Sequence, residues 1–220
     1  MVVDVKRIPE TAFGISVEGQ EVWISGHVTM TEIHDSPVIQ RHFPALADAA
    51  RYVGSVQIRN RATLVGNQCN ASPAADTAPP LLIYGARLVI AGPTGERKVA
   101  LNDFFVRSGV TTLGPGELVT AIVLPLPSEP VGSAFQRRTR RRGHDLASVT
   151  LAVALRDDDK VRLSYGSLGP RPLLFEGDVS QIESWFESAA PSPNSMRAAP
   201  DYRLAMLRVL TDRALAQARS

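Results

Sequence analysis

Near the N-terminus, apolar positions alternate with polar ones, which is the pattern of half-buried β-strands. An apolar run at Val2–Val5 predicts a first strand that ends before Pro9. Gly14–Val17 and Val22–Ser25 flank a short polar turn and predict a β-hairpin. The chain is therefore expected to open with strands.

The next stretch changes to helical spacing. Thr29–Asp35 predicts a short helix capped by Thr29 or Thr31, because threonine hydroxyls accept N–H groups at helix starts. A second helix follows at the next Ser-Pro pair, and Pro44 is expected to divide it, since proline is tolerated best in a first turn. After the division the apolar residues share one face, and Gly54 is expected to end the helix. These residues are Phe43, Leu46, Ala47, Ala50 and Val53.

The stretch from Val53 to Gly85 is unusual in composition. Val56–Ile58 predicts a strand that carries Arg59 and Arg61. A tract of small and amide residues follows, namely Gly66, Asn67, Gln68, Asn70, Ala71 and Ser72. Such residues allow backbone to approach a ligand closely, successive N–H groups can bind an anion, and guanidinium groups suit phosphate. Chemistry alone leaves two interpretations open: a loop that cradles a phosphorylated ligand, or a loop that only turns the chain.

Asp76 also has two open interpretations. It could cap a helix at Pro79–Tyr84, with a proline in the first turn and Gly85 at the end. It could instead contact a ligand. Both roles can hold together, because phosphates bind beside helix N-termini.

The chain then returns to strands. Arg87–Ala91 and Lys98–Leu101 predict a second hairpin, and Asn102–Phe105 predicts a helical turn that buries two aromatic rings. Gly114–Gly116 is a turn that lacks the third glycine and the helix of a dinucleotide motif. Glu117–Leu124 predicts a strong strand.

Three prolines between Pro125 and Pro130 predict a boundary, because they break regular structure. They divide the chain into domains at residues 1–127 and 128–220. Beyond the boundary, three strands and two helices predict a small antiparallel sheet with helices on one face, so the fold class is α+β. The strands are Ser133–Arg140, Ala147–Leu155 and Val161–Leu168, and the helices are Ile182–Ser188 and Tyr202–Ala218.

The amino-acid composition agrees with a folded α+β protein. A hydrophobic content of 44% supports a core, and a net charge of +2 is too small to indicate nucleic acid. No apolar run reaches the roughly 18 residues that span a bilayer, and the N-terminus lacks a signal-peptide layout, so a cytoplasmic location is expected. The single cysteine, Cys69, excludes an internal disulfide and an iron–sulfur cluster held by this chain alone. An inert small residue is its favoured interpretation.

Other motifs indicate no catalytic chemistry. The arginine-rich segment could grip nucleic acid, but such a run is more often a solvated face or an interface. It contains Arg137, Arg138, Arg140, Arg141 and Arg142. The four histidines show no metal-ligand spacing, and the sequence has no Walker loop and no nucleophile elbow. No catalytic residue and no metal ligand is therefore assigned.

The tract at 63–76 resembles the second FAD-binding segment of the flavin subunits of molybdenum hydroxylases. That family includes the medium subunit of carbon monoxide dehydrogenase and the flavin domain of xanthine dehydrogenase. Its motif Thr-Ile-Gly-Gly-Asn stands here as Thr63-Leu64-Val65-Gly66-Asn67. An Ala/Ser-rich stretch that ends in Asp76 follows, as in the family. The sequence departs at Val65, where the family usually has glycine and where a side chain would narrow the approach to the flavin.

The resemblance extends to residue 218, and it implies a fold. Residues 1–127 would form the second half of a PCMH-type FAD-binding domain, and residues 128–220 would resemble the C-terminal domain of carbon monoxide dehydrogenase flavoproteins. In the family a strand residue lies against the flavin ring and a basic residue lies near it. Val119 matches the first, and Gln136 or Arg137 matches the second, with Arg137 preferred. The implied cofactor-binding residues are Thr63, Leu64, Val65, Gly66, Asn67, Asp76, Val119 and Arg137.

The resemblance also implies a function. The family's flavin subunit passes electrons from the 2Fe-2S clusters of a small partner through FAD to an acceptor such as NAD, oxygen or quinone. A large partner carries the molybdenum cofactor and the substrate chemistry. Family members begin with a further subdomain that carries a first FAD loop, so this chain is expected to supply part of the flavin cleft. The alternative is a structural or interaction module of such a complex without flavin, and self-association as a homodimer is left open.

Overall fold

The computed structural model describes residue 8 and residues 13–220, apart from residues 130, 142, 144, 157–159, 190 and 194. The strand predicted at Val2–Val5 lies outside these residues. The strands are β1 (Ile15–Glu18), β2 (Glu21–Ser25), β3 (Arg87–Gly92), β4 (Gly95–Ala100), β5 (Phe105–Arg107), β6 (Val110–Thr111), β7 (Leu118–Pro125), β8 (Gly132–Arg138), β9 (Val149–Arg156), β10 (Lys160–Gly166) and β11 (Leu173–Asp178). The helices are α1 (Met30–Asp35), α2 (Pro37–His42), α3 (Pro44–Ala50), α4 (Val56–Arg59), α5 (Leu64–Cys69), α6 (Ala78–Ile83), α7 (Leu101–Phe104), α8 (Ile182–Ser188) and α9 (Pro200–Ala218).

The first sheet has five antiparallel strands in the order β1-β2-β7-β3-β4. The two predicted hairpins, β1-β2 and β3-β4, are confirmed. Val22 and Ile24 are fully buried, as the alternation in the sequence indicates. The predicted strand at Glu117–Leu124 is β7, and it joins the two hairpins at the centre of the sheet.

Short helices cover this sheet, and their starts follow the predicted caps. The Thr29 hydroxyl accepts the N–H of Glu32, whose carboxylate accepts the N–H of Thr29 at 2.7 Å, so the two residues form a capping box. Pro44 occupies the first turn of α3, as predicted. That helix ends at Ala50, four residues earlier than the prediction, although the turn at Gly54 does adopt a left-handed φ of 56°.

The predicted strand at Val56–Ile58 is wrong, because these residues form helix α4. The left-handed turn at Gly54 reverses the chain, and the Ser55 hydroxyl then accepts the N–H of Ile58 at 3.4 Å. Val56 and Ile58 remain 59% and 45% exposed. The segment has a β-prone composition, but among the described residues no strand of a sheet lies beside it for pairing.

Two further corrections concern the tract that follows. The loop predicted at Thr63–Asn67 is the start of helix α5, whose N-cap is Thr63. Asp76 does not cap α6, because Thr77 is the N-cap residue and no side chain caps that end. Gly85, with a φ of 70°, does follow the end of α6 as predicted.

The second sheet has four antiparallel strands in the order β11-β10-β9-β8. The three predicted strands correspond to β8, β9 and β10, and α8 has the predicted bounds. Strand β11 was not predicted; it follows a segment that contains two prolines and a glycine, residues that are uncommon in strands. Helices α8 and α9 cover one face, through Ile182 and Phe186 of α8 and Leu207 and Leu210 of α9, which confirms the predicted layer.

Helices α3 and α6 of the first half cover the opposite face of the second sheet. Phe135, Ala152 and Ala154 of that sheet belong to the same hydrophobic cluster as the core of the first half. The two halves thus share a core, and the domain boundary at residue 127 stays a prediction.

Candidate functional site

The first turn of α5 is held in place by its own cap and by the backbone of the segment between β2 and α1. The Thr63 hydroxyl accepts the N–H of Gly66 at 3.0 Å, and the N–H of Leu64 donates to the Val28 carbonyl at 3.0 Å. The Leu64 side chain is fully buried in the core. Leu64 therefore anchors the turn in the core.

One side of this turn borders a small cavity of about 170 Å³, which we call the α5–β7 cavity. It is lined by Gly26, His27, Thr63, Val65, Gly66, Cys69, Leu118, Val119 and Thr120. Four of the predicted cofactor-binding residues thus meet here, namely Thr63, Val65, Gly66 and Val119. Val65 and Val119 are almost fully buried, and they give the cavity apolar walls.

Two glycines keep this cavity open. A Cβ on Gly66 would lie 3.0 Å from the Thr63 hydroxyl oxygen, and a Cβ on Gly26 would lie 3.2 Å from the Thr120 carbonyl oxygen. Sequence reasoning identified Gly66 but missed Gly26, which follows β2 directly. A glycine that ends a buried strand is the signal that could have revealed it.

Cys69 also lines the α5–β7 cavity, and burial raises the pKa of its thiol to about 11. The thiolate is the reactive form of cysteine, so at neutral pH this side chain is protonated and unreactive. The favoured interpretation from the sequence, an inert small residue, agrees with this environment.

The other side of the turn borders a polar cavity of about 320 Å³, which we call the Asp76 cavity. It is lined by Tyr52, Val53, Gly54, Asn67, Asn70, Ser72, Ala74, Ala75, Asp76, Asp145 and Leu146. Two predicted residues, Asn67 and Asp76, therefore lie in it, and the small-residue tract forms its wall.

The amide of Asn67 is oriented by a buried hydrogen-bond network. Thr77 donates its hydroxyl to Asn67 Oδ1 at 2.7 Å, and Gln68 Nε2 donates to the Thr77 hydroxyl at 2.8 Å. Gln68 and Thr77 are both fully buried. Within the described residues, Asn67 Nδ2 donates to no partner, so its N–H groups are available to a ligand.

Asp76 and Arg137 form a buried ion pair, with 3.4 Å between Asp76 Oδ2 and Arg137 Nη2. Arg137 Nη2 also donates to the Asp145 carbonyl at 2.7 Å, and its guanidinium lies 5.1 Å from the Tyr52 ring centroid. Gln136, the other candidate for the basic position, instead bonds Gln217 on α9. The structure thus brings Arg137, not Gln136, to Asp76.

Burial raises the pKa of Asp76 to about 7, and the nearby Arg137 charge opposes that rise. Among the described residues no group donates to Asp76 Oδ1, although this oxygen is buried. A buried acceptor without a donor is costly unless a ligand or water supplies one. Asp76 is therefore prepared to receive a hydrogen bond from a bound molecule.

The remaining arginines of the basic run contact groups of this chain. Arg138 donates to the Tyr202 hydroxyl at 2.9 Å, whereas Arg140 and Arg141 lie 3.9 Å and 4.0 Å from Asp145 Oδ2. Arg142 lies outside the described residues. The contacts of Arg137 with Tyr52 and Asp145 were not predicted, because they depend on how the chain folds and not on spacing in the sequence.

The two cavities differ in chemical character. The α5–β7 cavity offers apolar walls for a ring, and the Asp76 cavity offers unused hydrogen-bonding atoms at Asn67 and Asp76. Within the part of the chain that the structure describes, no group of acidic, histidine or cysteine side chains could hold a metal ion. No helix among those residues is long and apolar enough to cross a membrane.

Comparison with known proteins gives a consistent result. Residues 1–127 match the model of the FAD binding domain in molybdopterin dehydrogenase. The chain is 31% identical to a putative xanthine dehydrogenase FAD-binding subunit of Escherichia coli K12, over 99% of this chain and 80% of that protein. It is 29% identical to the carbon monoxide dehydrogenase medium chain of Hydrogenophaga pseudoflava, over 97% of this chain and 79% of the other.

The fold comparison agrees. A solved structure of carbon monoxide dehydrogenase from Hydrogenophaga pseudoflava, which lacks the Mo-pyranopterin moiety of its cofactor, superposes with a TM-score of 0.88 at 27% identity. The superposition covers 98% of this chain and 80% of the other.

Proposed function

This chain belongs to the family of FAD-binding domains of molybdopterin dehydrogenases, and we propose that it is the electron-transfer subunit of a molybdenum hydroxylase or dehydrogenase complex. A small partner subunit with 2Fe-2S clusters would deliver electrons, and a large partner with the molybdenum cofactor would carry the substrate chemistry. The relatives named as a xanthine dehydrogenase FAD-binding subunit and a carbon monoxide dehydrogenase medium chain support this assignment. A cytoplasmic location stays a prediction.

The observation that carries the proposal is the convergence of the motif residues on one short helix turn. Thr63 and Gly66 face one cavity, while Asn67 faces the other beside Asp76. A single extended cofactor could therefore contact both cavities across the first turn of α5. The buried Asp76 oxygen without a donor supports a ligand at this place.

When bound, FAD would supply the redox chemistry, and the chain would bind, orient and shield it. Val65 and Val119 would exclude water from a flat apolar group. Asn67 Nδ2 would donate a hydrogen bond, and Asp76 Oδ1 would accept one. Arg137 would keep a positive charge beside the site, which favours anionic groups of the cofactor.

Flavin retention in variants tests the residue assignment. We expect Asn67→Ala and Asp76→Ala each to reduce the flavin that remains after desalting by roughly ten-fold, since each removes a hydrogen bond in a buried site. Asp212→Ala, at an exposed carboxylate on α9, is the control and should retain flavin like the parent chain. Circular dichroism checks that all variants are folded. Unchanged flavin content in both site variants would contradict the assignment.

A further inference from the structure

A third cavity, of about 550 Å³, lies at the end of the second sheet. The loop after β10 and the loop that leads into α9 form its sides. Its lining is rich in serine hydroxyls and guanidinium groups, and it includes Arg140, Asp145, Ser167, Ser192, Arg197 and Arg203. We call it the Arg203 cavity.

Arg203, on the first turns of α9, is 1% exposed and fixes the shape of this cavity. Its guanidinium donates to backbone carbonyls from three segments: Ser148 beside β9, Ser167 and Leu168 after β10, and Ser192 before α9. No carboxylate among the described residues lies within ion-pair distance of it. The carbonyls satisfy most of its N–H groups, but its full positive charge remains in a buried place.

Other charges add to this excess. Arg197 also lines the cavity. The pKa of the Arg203 guanidinium is lowered, mainly by burial and secondly by the nearby positive charge of Arg197. Arg140 lines the cavity as well and donates to the Met196 carbonyl. Asp145 is the one acidic residue among the described lining residues, and it already lies between Arg140 and Arg141. The cavity therefore carries more positive than negative charge.

Ser167 is a second and independent indication of a ligand. It is 2% exposed, it lines the cavity, and its hydroxyl has no hydrogen-bond partner within the described chain. Its φ of 66° is uncommon for a residue other than glycine. The N–H donates to the Pro73 carbonyl at 2.6 Å and the carbonyl accepts from Arg203, so contacts on both sides hold this conformation. Such strain is concentrated at functional sites.

We propose that the Arg203 cavity binds the phosphate group of a small molecule, at a site separate from the two cavities beside α5. Arg197 supplies a guanidinium fork, Ser167 supplies a hydroxyl donor, and Arg203 supplies a fixed background charge. Several guanidinium and hydroxyl donors match the oxygens of a phosphate better than the two oxygens of a carboxylate. The Arg203 cavity and the Asp76 cavity share Asp145 and Leu146 in their walls, so a ligand here would lie beside the candidate flavin site.

Isothermal titration calorimetry of the full chain with inorganic phosphate, pyrophosphate and ADP, at constant ionic strength set with NaCl, tests this proposal. Binding of all three with similar affinity would assign free phosphate species, and tighter binding of ADP would assign a nucleotide. Arg197→Met should weaken binding by roughly ten-fold or more, because it removes a charge-assisted hydrogen bond. Arg197→Lys keeps the charge and should weaken it less.

Two matched controls locate the site. Arg213→Met removes an exposed arginine elsewhere on α9 and should leave phosphate binding unchanged. Asn67→Ala alters the Asp76 cavity and should also leave it unchanged, so failure of the flavin assignment does not affect this test. Ser167→Ala provides a second variant at the site if Arg197→Met does not fold. The proposal is overturned if none of the three probes binds at millimolar concentration, if Arg197→Met binds like the parent, or if Asn67→Ala loses the binding.

Discussion

The α5–β7 cavity and the Asp76 cavity lie on either side of the same helix turn, yet they are built in different ways. The first is small and apolar. It is bounded by two glycines, Gly26 and Gly66, and by the packed side chains of Val65 and Val119. The second is larger and holds the amide of Asn67 and a buried carboxylate, Asp76, which pairs with the guanidinium of Arg137. Apolar walls tolerate substitutions that keep a similar volume, whereas a buried charge pair does not tolerate the loss of one partner, because the other charge is then left buried and unpaired.

The largest expected effect is on the polar side. Arg137→Ala removes the partner of Asp76, whose side chain is only 9% exposed, and should lower the free energy of unfolding by about 3–5 kcal/mol at pH 8. Urea denaturation measures this change. The control, Arg213→Ala at an exposed position, should shift it by no more than about 0.5 kcal/mol. Equal effects of the two variants would show that the ion pair does not stabilise the fold.

On the apolar side, the anchor of the turn should matter next. Leu64→Ala leaves a cavity beneath the turn and should lower the free energy of unfolding by about 2–4 kcal/mol, because Leu64 is fully buried. Leu118→Ala, at a leucine that is 37% exposed, is the matched control and should have a smaller effect. Similar losses in both variants would contradict the role of Leu64 as the anchor.

The pH dependence of stability should separate the two sides further. Because the pKa of Asp76 is raised from 3.8 to about 7, the folded chain keeps this proton between about pH 4 and pH 7, while the unfolded chain releases it. Stability due to this group is therefore fully present below pH 4 and is lost as the pH rises through 7. From pH 5 to pH 8 the parent should lose about 1–3 kcal/mol relative to Asp76→Asn.

Thermal or urea unfolding at several pH values measures that difference. Asp212→Asn, at an exposed carboxylate, should follow the parent across the same range. Parallel pH profiles for the parent and Asp76→Asn would mean that Asp76 ionises normally in the folded chain.

The smallest expected effect is at the cap. Thr63→Ala removes the hydroxyl that accepts the Gly66 N–H and should destabilise the chain by about 1 kcal/mol. Thr63→Ser keeps the acceptor and should restore most of this loss. Chemical denaturation of both variants measures it, and an equal loss in Thr63→Ser would indicate packing of the Thr63 methyl group instead of capping.

The local patterns predicted much of the fold, because they report local causes. The hairpins, the helix cap at Thr29 and the strand β7 depend on alternation, side-chain caps and turn residues close in sequence. The wrong prediction at Val56–Ile58 has the opposite cause, because the surroundings of that segment outweighed its local propensity. Val56 and Ile58 have β-prone side chains, but the Gly54 turn and the Ser55 cap place them on an exposed helix.

The sequence predicted many residues of the candidate site, but it did not predict how they are arranged. The Thr63–Asn67 motif was identified as a loop, whereas a cap and a buried Leu64 make it a helix start. The pairing of Asp76 with Arg137 joins residues 61 positions apart, and the Tyr52 contact joins another distant segment. Such contacts form because the two sheets share a core, and a local sequence pattern carries no information about that packing.

The central claim is that this chain binds FAD across the first turn of α5, and the visible absorbance spectrum tests it most directly. The purified chain would be measured before and after addition of excess FAD and desalting. The account predicts flavin absorbance bands that survive desalting and that decrease in Asp76→Ala. A colourless chain after desalting, with the fold intact by circular dichroism, would contradict FAD binding by this chain alone.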